Sequence, residues 1–231
     1  MSEQKRLVWD IPLRLFHWLL VFSIAGSYYS AQPGSPIMQW HLWLGYWTIG
    51  LVLFRIIWGL VGPRHARFSH FLPTPGRLFA YIRGIFDGTG GQTVGHNPLG
   101  SLMVIVMLIL VGVQAGTGMF ATEDIIWTGP YFPAVSSDMA DKLTGWHHLN
   151  FDFIMVVVGV HIAAILFYLL VKKQNLVRPM ITGKKDAAVV PESEEIKSSQ
   201  LLKAVVVIAI CALAVYLILH FAPPPAEEYY Y

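Results

Sequence analysis

Five long apolar stretches constrain the fold of this chain more than any other feature of its sequence. They run over about residues 11–30, 41–60, 98–118, 147–171 and 201–221. Each is close to the ~20 residues with which an α-helix crosses a hydrocarbon core about 30 Å thick. The first stretch holds Arg14 and His17, and no small-residue cleavage site follows it, so we interpret it as a retained helix rather than a secretory signal. The sequence therefore predicts an all-α membrane protein with five transmembrane helices.

The composition agrees with this class. Only 13% of the residues are charged, against about 25% in soluble domains. The single cysteine, Cys211, excludes a disulfide framework, a thiolate-bound iron–sulfur cluster and the paired-cysteine attachment of c-type haem. Any haem must therefore be bound without a covalent link.

The distribution of basic residues predicts the orientation. With the N-terminus inside, the inner segments and inner helix ends hold fifteen of the sixteen Lys and Arg residues, and only Lys142 lies outside. Basic residues concentrate on the cytoplasmic side of membrane proteins. We therefore expect a cytoplasmic N-terminus and, with five spans, a C-terminus on the outer side of the membrane. The predicted outer segments carry six acidic residues: Glu123, Asp124, Asp138, Asp141, Glu227 and Glu228.

Four histidines form two pairs on this topology. His147 and His161 are fourteen residues apart in one apolar stretch, which places them near one face of a helix and about 21 Å apart along it. His41 shares the outer depth of His147, and His17 shares the inner depth of His161. A single histidine at a membrane boundary is usually an interfacial residue, but two depth-matched pairs predict axial ligands for two haem irons in a helix bundle.

Other residues bear on these predicted sites. His148 is the alternative to His147; it lies about 140° around the helix from His161, whereas His147 lies about 40° away. Arg55, fourteen residues after His41, and Arg14, one turn before His17, are candidate partners for haem propionates. Alternatively, the charged ends of both arginines extend toward the inner membrane surface, and this interpretation explains their positions equally well.

The chain divides into four segments by composition. Residues 1–180 are expected to form a di-haem four-helix bundle, and residues 181–200 a polar cytoplasmic linker. Residues 201–221 are expected to form an additional transmembrane helix, followed by a periplasmic tail at 222–231.

Three motifs resemble a known family: VWDIPLRLFHWLLVFSI, HLWLGYWTIGLVLFRIIWG and WHHLNFDFIMVVVGVHIAA. The chain resembles the bacterial di-haem cytochrome b561 and Ni/Fe-hydrogenase b-type cytochrome superfamily, which includes the membrane subunit of formate dehydrogenase. The resemblance covers about residues 7–180. It implies a four-helix bundle, two haems b and quinone chemistry, with His17, His41, His147 and His161 as ligands. The fifth helix departs from the compact four-helix form.

From these features we expect electron transfer across the membrane between a quinone pool and a redox partner. That partner would be a periplasmic protein, such as a c-type cytochrome or a hydrogenase-like module, docking on the acidic outer surface. Whether the chain is itself a quinone or quinol oxidoreductase stays open. Besides membrane lipid and quinone, we expect no nucleic-acid partner, and oligomerisation stays open.

Two alternatives remain. The chain could act alone as a superoxide:quinone oxidoreductase, with Lys142 attracting the anion. It could also be a haem-free transporter or membrane scaffold whose histidines serve ions or protons.

Overall fold

The computed structural model describes residues 4–32, 34–87, 92–123 and 126–224. Within these residues the chain forms eight α-helices, α1 to α8: Ile11–Ser30, Met38–Val61, Phe68–Phe71, Pro75–Phe86, Pro98–Gly118, Ser137–Leu170, Val177–Thr182 and Leu201–His220. Four short strands, β1 to β4, are Lys5–Leu7, Thr122–Glu123, Trp127–Thr128 and Lys184–Asp186. They form two antiparallel pairs, β1 with β4 and β2 with β3. The protein is thus a helical membrane protein with a small two-stranded sheet at each end.

Five of the helices, α1, α2, α5, α6 and α8, are long and apolar enough to cross a membrane. The predicted number of spans is therefore confirmed. We call the end that carries β1 and β4 the inner end, following the predicted orientation, and the end that carries β2 and β3 the outer end. The predicted acidic residues Asp124, Glu227 and Glu228, and most of the predicted tail, lie outside the described residues.

Polar residues begin most of these helices. Asp10, Asn97 and Ser136 each accept a hydrogen bond from a backbone amide of the first turn of α1, α5 and α6 respectively, which satisfies an amide that has no partner within the helix. The cap at Ser136 starts α6 ten residues before the apolar stretch predicted at 147. The helix is 34 residues long, or about 51 Å, so it extends well beyond a bilayer core.

The helices pack in a definite order. The neighbours in close contact are α1 with α2, α2 with α5, α5 with α6, and α2 with α8. Gly26 of α1 leaves space for a side chain of α2, because a Cβ atom there would lie 2.8 Å from Leu44 Cδ1. Ala204, Val207 and Cys211 of α8 are buried in the core cluster. The fifth helix is therefore part of the bundle.

The segment predicted as a polar linker, 181–200, is folded. Its strand β4 pairs with β1, and Val190 is completely buried. The guanidinium of Arg6 donates to the Val190 carbonyl, and the Ile196 amide donates to the Leu7 carbonyl at 3.0 Å. Composition described the polarity of the segment correctly, but its packing against the N-terminus comes from contacts distant in sequence.

Together with the end of α2, this segment builds a structure that we call the inner cap, residues 4–10, 62–71, 92–97 and 183–196. Arg64 Nη2 lies 2.7 Å from Glu194 Oε1, and His65 Nε2 lies 2.8 Å from the Glu194 carbonyl oxygen. The Asp10 carboxylate accepts hydrogen bonds from the Leu13 amide at 2.9 Å and from Trp58 Nε1 at 3.0 Å. The cap thus closes the inner end with charged and polar groups paired across three chain segments.

His96 lies among aromatic rings of the inner cap. Its ring lies 4.6 Å from those of Trp9 and Phe71, between centroids, and its Nδ1 is buried without a hydrogen-bond partner among the described residues. Burial, together with the positive charges of Arg55 and Lys185 and the neighbouring titratable ring of His65, lowers the pKa of His96 to about 3. Burial also lowers the pKa of His65. Both rings are therefore expected to be neutral in the folded protein at neutral pH.

Acid should therefore destabilise the protein through His96. Below the unfolded pKa of 6.5, the unfolded chain binds a proton that the folded chain excludes, so stability falls as the pH drops from about 6.5 toward 3. At pH 5 the loss is about 2 kcal/mol at most. In detergent, His96→Asn should lose clearly less thermal stability between pH 7 and pH 5 than the unmodified protein, with a residual loss through His65. His70→Asn, at an exposed cap position, is the control; equal losses in all three proteins would contradict the prediction.

Candidate functional site

The structure brings the four predicted histidines together in two pairs. His41 of α2 and His147 of α6 have ring centroids 6.0 Å apart, and His17 of α1 and His161 of α6 have centroids 6.5 Å apart. Two imidazoles bound to one metal, with metal–nitrogen bonds of about 2 Å, place their centroids about 6 Å apart. Both pairs therefore fit a single metal ion held between two imidazoles.

Helix α6 has few close backbone contacts with α1 and α2. It packs closely along α5, whereas it meets α1 and α2 chiefly through side chains: the two histidine pairs and the stacked rings of Tyr28 and Phe151, 5.8 Å apart. The pairs thus lie between two packed helix couples, α1 with α2 and α5 with α6. Cofactors of helix bundles occupy interhelical positions of this kind.

Hydrogen bonds orient both rings of the outer pair. His41 Nδ1 lies 3.0 Å from the Ser27 carbonyl oxygen of α1, and His147 Nδ1 lies 3.0 Å from the Gln114 carbonyl oxygen of α5. A carbonyl only accepts, so we assign the ring proton to Nδ1 in each histidine, which makes Nε2 the basic nitrogen. Metal-binding histidines are commonly fixed in this way by a backbone carbonyl.

A polar network around His147 was not predicted from the sequence. Gln114 Nε2 lies 3.0 Å from His147 Nε2, and Asn150 Nδ2 donates to Gln114 Oε1 at 2.7 Å. Thr117 Oγ1 lies 3.2 Å from His147 Nδ1. Metal binding at His147 Nε2 requires the Gln114 amide to turn away. The sequence offered one signal for this network. Gln114, Thr117 and Asn150 are polar residues within otherwise apolar stretches, where polar side chains are costly.

The structure places His147, rather than His148, beside His41. His148 is exposed, and its Nε2 lies 3.5 Å from Glu123 Oε2 in strand β2. Lys142 Nζ lies 2.7 Å from Asp138 Oδ2 one turn earlier on α6. The cation proposed to attract superoxide is therefore already paired, and this observation does not favour that alternative.

The inner pair has fewer partners than the outer pair. His17 Nδ1 is buried without a hydrogen-bond partner among the described residues, and the same holds for Arg14 Nε and Arg55 Nη2. The Arg14 guanidinium donates to the Ile181 carbonyl at the end of α7. The two unpaired arginine N–H groups leave the inner end able to donate hydrogen bonds to an anionic group.

Arg55 is buried beneath the inner cap, which the sequence did not indicate. Only 2% of its surface is exposed, and its Nη1 donates to the Ala66 carbonyl at 3.2 Å. Its guanidinium carbon lies 4.7 Å from the Phe68 ring centroid. The interpretation that Arg55 extends to the inner surface is therefore wrong, because residues 64–71 fold over it. A role toward a propionate stays a prediction.

A second polar group lies beyond the inner pair. The hydroxyls of Tyr81 in α4 and Tyr168 in α6 are 2.6 Å apart, and Asn97 Nδ2 donates to the Tyr168 hydroxyl at 3.2 Å. Tyr168 follows His161 by seven residues, so it shares that helix face about 10 Å farther along α6. Burial, with the hydrogen bond that Tyr81 donates to the Tyr168 hydroxyl, raises the pKa of Tyr81. This phenol is therefore protonated at neutral pH and can donate a hydrogen bond.

Comparison with known proteins points to one family. The model of the prokaryotic cytochrome b561 family matches residues 8–183. A protein from Azotobacter vinelandii is 26% identical, covering 76% of this chain and 86% of its own length. A protein from Rhizobium leguminosarum bv. viciae is 26% identical over 80% and 90%, and one from Cupriavidus necator is 24% identical over 79% and 87%. All three are named probable Ni/Fe-hydrogenase B-type cytochrome subunit. Comparison with solved structures gives no significant match. The family match ends before α8.

Gly118 gives a direct test of the outer pair. A Cβ atom at Gly118 would lie 2.9 Å from His147 Cε1, whereas a Cβ atom at Gly116 in the same helix has no atom within 4 Å. Gly118→Ala should therefore displace the His147 ring and change the absorption and electron paramagnetic resonance signals of one bound haem, while Gly116→Ala should not. Identical spectra for both variants would contradict the assignment of His147 to a metal site.

Proposed function

The chain belongs to the prokaryotic cytochrome b561 family, and on that basis we propose that it is a di-haem b-type cytochrome that carries electrons across the bacterial inner membrane between a quinone pool and a redox partner. Family membership makes it a b-type haem protein of electron transport. The number of haems, the quinone, the partner and the orientation belong to the proposal. The observation that carries it is the presence of two imidazole pairs, each with one histidine on α6.

The residues present fit two haem groups. The inner pair would hold one haem through His17 and His161, and the outer pair another through His41 and His147, both without covalent attachment. The unpaired groups at the inner end, Arg14 Nε and Arg55 Nη2, suit the carboxylates of a porphyrin. When bound, haem b supplies reversible one-electron chemistry.

The protein's own contribution is orientation and charge. The Ser27 and Gln114 carbonyls fix the rings of His41 and His147, which keeps each Nε2 basic. The apolar helices around the pairs exclude water. Arg14 and Arg55 add positive charge at the inner end only. The chain therefore offers two sites of unequal electrostatic environment along a single helix.

A hydrogenase-like module is the partner that the relatives support best, because their names associate them with Ni/Fe-hydrogenase. We place it at the outer end, where Glu123, Asp138 and Asp141 lie. Asp138 is paired with Lys142, and Glu123 lies near His148, so Asp141 is the member of these three without an ion pair among the described residues. A periplasmic c-type cytochrome is the second candidate for the redox partner at this end.

Quinone is proposed to bind near the inner pair, beside Tyr81, Tyr168 and Asn97. Reduction of a quinone to a quinol takes two electrons and two protons. The two phenols and the amide offer hydrogen bonds to a quinone oxygen, and Tyr81 lies at the boundary of the span, where protons from the inner side can reach it. This arrangement would couple electron arrival with proton uptake.

The histidine assignments predict selective loss of haem. His41→Ala or His147→Ala should lower the haem content of the purified protein from two to one per chain and remove one reduced α-band component. His17→Ala or His161→Ala should remove the other component. His148→Ala is the matched control, because it changes a neighbouring histidine that is exposed on the same helix. A colourless unmodified protein, or loss of haem in His148→Ala instead of His147→Ala, would refute the proposal.

Tyr168 tests the proposed quinone position separately. Tyr168→Phe removes one hydroxyl from the hydrogen-bonded group, so quinone reduction should fall about tenfold or more while the haem content stays at two. Tyr216→Phe makes the same chemical change at an exposed position on α8 and should leave the rate unchanged. Equal rates of quinone reduction in the two variants would contradict the proposed quinone position. The haem assignments would not be affected by that result.

A further inference from the structure

One cavity lies at the inner end, where α8 joins the bundle. Its volume is about 370 Å³, within the range of roughly 300–1,000 Å³ that small-molecule sites occupy. Its lining includes Arg64, Arg67, Glu195, Lys197, Gln200 and Lys203. Residues 193–203 lie beyond the part of the chain that the family model matches, so part of the cavity lining falls outside the family match.

Three of the lining cations are not neutralised by a carboxylate among the described residues. Arg64 is paired with Glu194 at 2.7 Å, and Glu195 faces Arg6 at 3.9 Å. The remaining cations are Arg67, Lys197 and Lys203, and Lys203 Nζ donates only to the Val61 carbonyl, at 3.1 Å. The cavity therefore presents an excess of positive charge.

Two buried atoms in the lining lack hydrogen-bond partners among the described residues, Arg67 Nε and Gln200 Oε1. One is a charged donor and the other is an acceptor. An unpaired buried polar group costs about 1–3 kcal/mol, so a ligand that supplies both an anion and a hydroxyl or amine donor would be stabilised here.

The cavity lies at the depth of a lipid headgroup. Helix α2 ends at Val61 and α8 begins at Leu201, so both spans end at this level. The apolar side chains next to it, Leu60, Val61, Leu201 and Leu202, are all exposed. A ligand with an anionic head and acyl chains would place its head among the cations and its chains along these residues.

We propose that this cavity binds the headgroup of an anionic phospholipid such as phosphatidylglycerol. The phosphodiester is bound by Arg67, Lys197 and Lys203, because phosphate forms strong charge-assisted hydrogen bonds with such groups, and a headgroup hydroxyl donates to Gln200 Oε1. Basic pockets between transmembrane helices at the inner surface recognise lipid headgroups in this way. The bound lipid stabilises the contact between α8 and the end of α2.

Native mass spectrometry of the full chain in detergent, titrated with phosphatidylglycerol or phosphatidylcholine, tests this site. The triple variant Arg67→Gln/Lys197→Gln/Lys203→Gln should bind phosphatidylglycerol at least tenfold more weakly than the unmodified chain. The matched variant Lys5→Gln/Arg178→Gln/Lys184→Gln removes the same charge from exposed positions at the same end and should stay within about threefold. Phosphatidylcholine should bind weakly to all three proteins.

The other outcomes of this experiment also test the proposal. Equal binding of phosphatidylglycerol by the two triple variants would overturn it. Displacement of the lipid by millimolar glycerol phosphate would show a site for soluble phosphates and overturn the lipid assignment. The haem spectrum and melting temperature without added lipid report whether each variant is folded. If the cavity variant does not fold, Lys197→Glu, at an exposed side chain, should still weaken lipid binding severalfold, and unchanged binding would refute the site.

Discussion

The register between α1, α2 and α6 is the constraint on which the rest of the structure depends. Helices α1 and α2 run in opposite directions. They pack together where the absence of a side chain at Gly26 leaves space for the Leu44 side chain. That contact fixes His17 and His41 at opposite depths. The same two depths are met by a single continuous helix, α6, because fourteen residues separate His147 from His161. A shift of one turn between α1 and α2, about 5.4 Å, would leave at least one imidazole pair too far apart to share a metal.

The features predicted from the sequence are those that local patterns determine. Span number follows from apolar length, and the paired depths of the histidines follow from helical spacing and topology. The start of α6 was missed because residues 137–146 are polar and the Ser136 cap lies outside the apolar stretch. Gln114, Thr117 and Asn150 were missed because single polar residues in a span do not reveal which histidine they approach.

The inner cap could not be predicted, because contacts between distant segments build it. Strands of three residues, such as β1 and β4, carry no periodic signal, yet their pairing holds residues 184–186 against the N-terminus. The burial of Arg55 similarly depends on Phe68 and Ala66, which follow it around a tight turn after α2. Gly59 allows this fold, since a Cβ atom there would overlap the Phe68 ring. Polarity alone therefore suggested a linker and a surface arginine where the structure has packed elements.

The unequal surroundings of the two imidazole pairs bear on the direction of electron flow. The outer pair lies among neutral amides and carbonyls, while Arg14 and Arg55 add positive charge at the inner end. Positive charge nearby favours the reduced form of a redox centre, and burial and charge are among the levers by which proteins set haem potentials. On the proposed function, the inner site is therefore the more oxidising of the two. Electrons would then pass energetically downhill from a partner at the outer end to an acceptor at the inner end, where Tyr81 and Tyr168 can supply protons to a quinone.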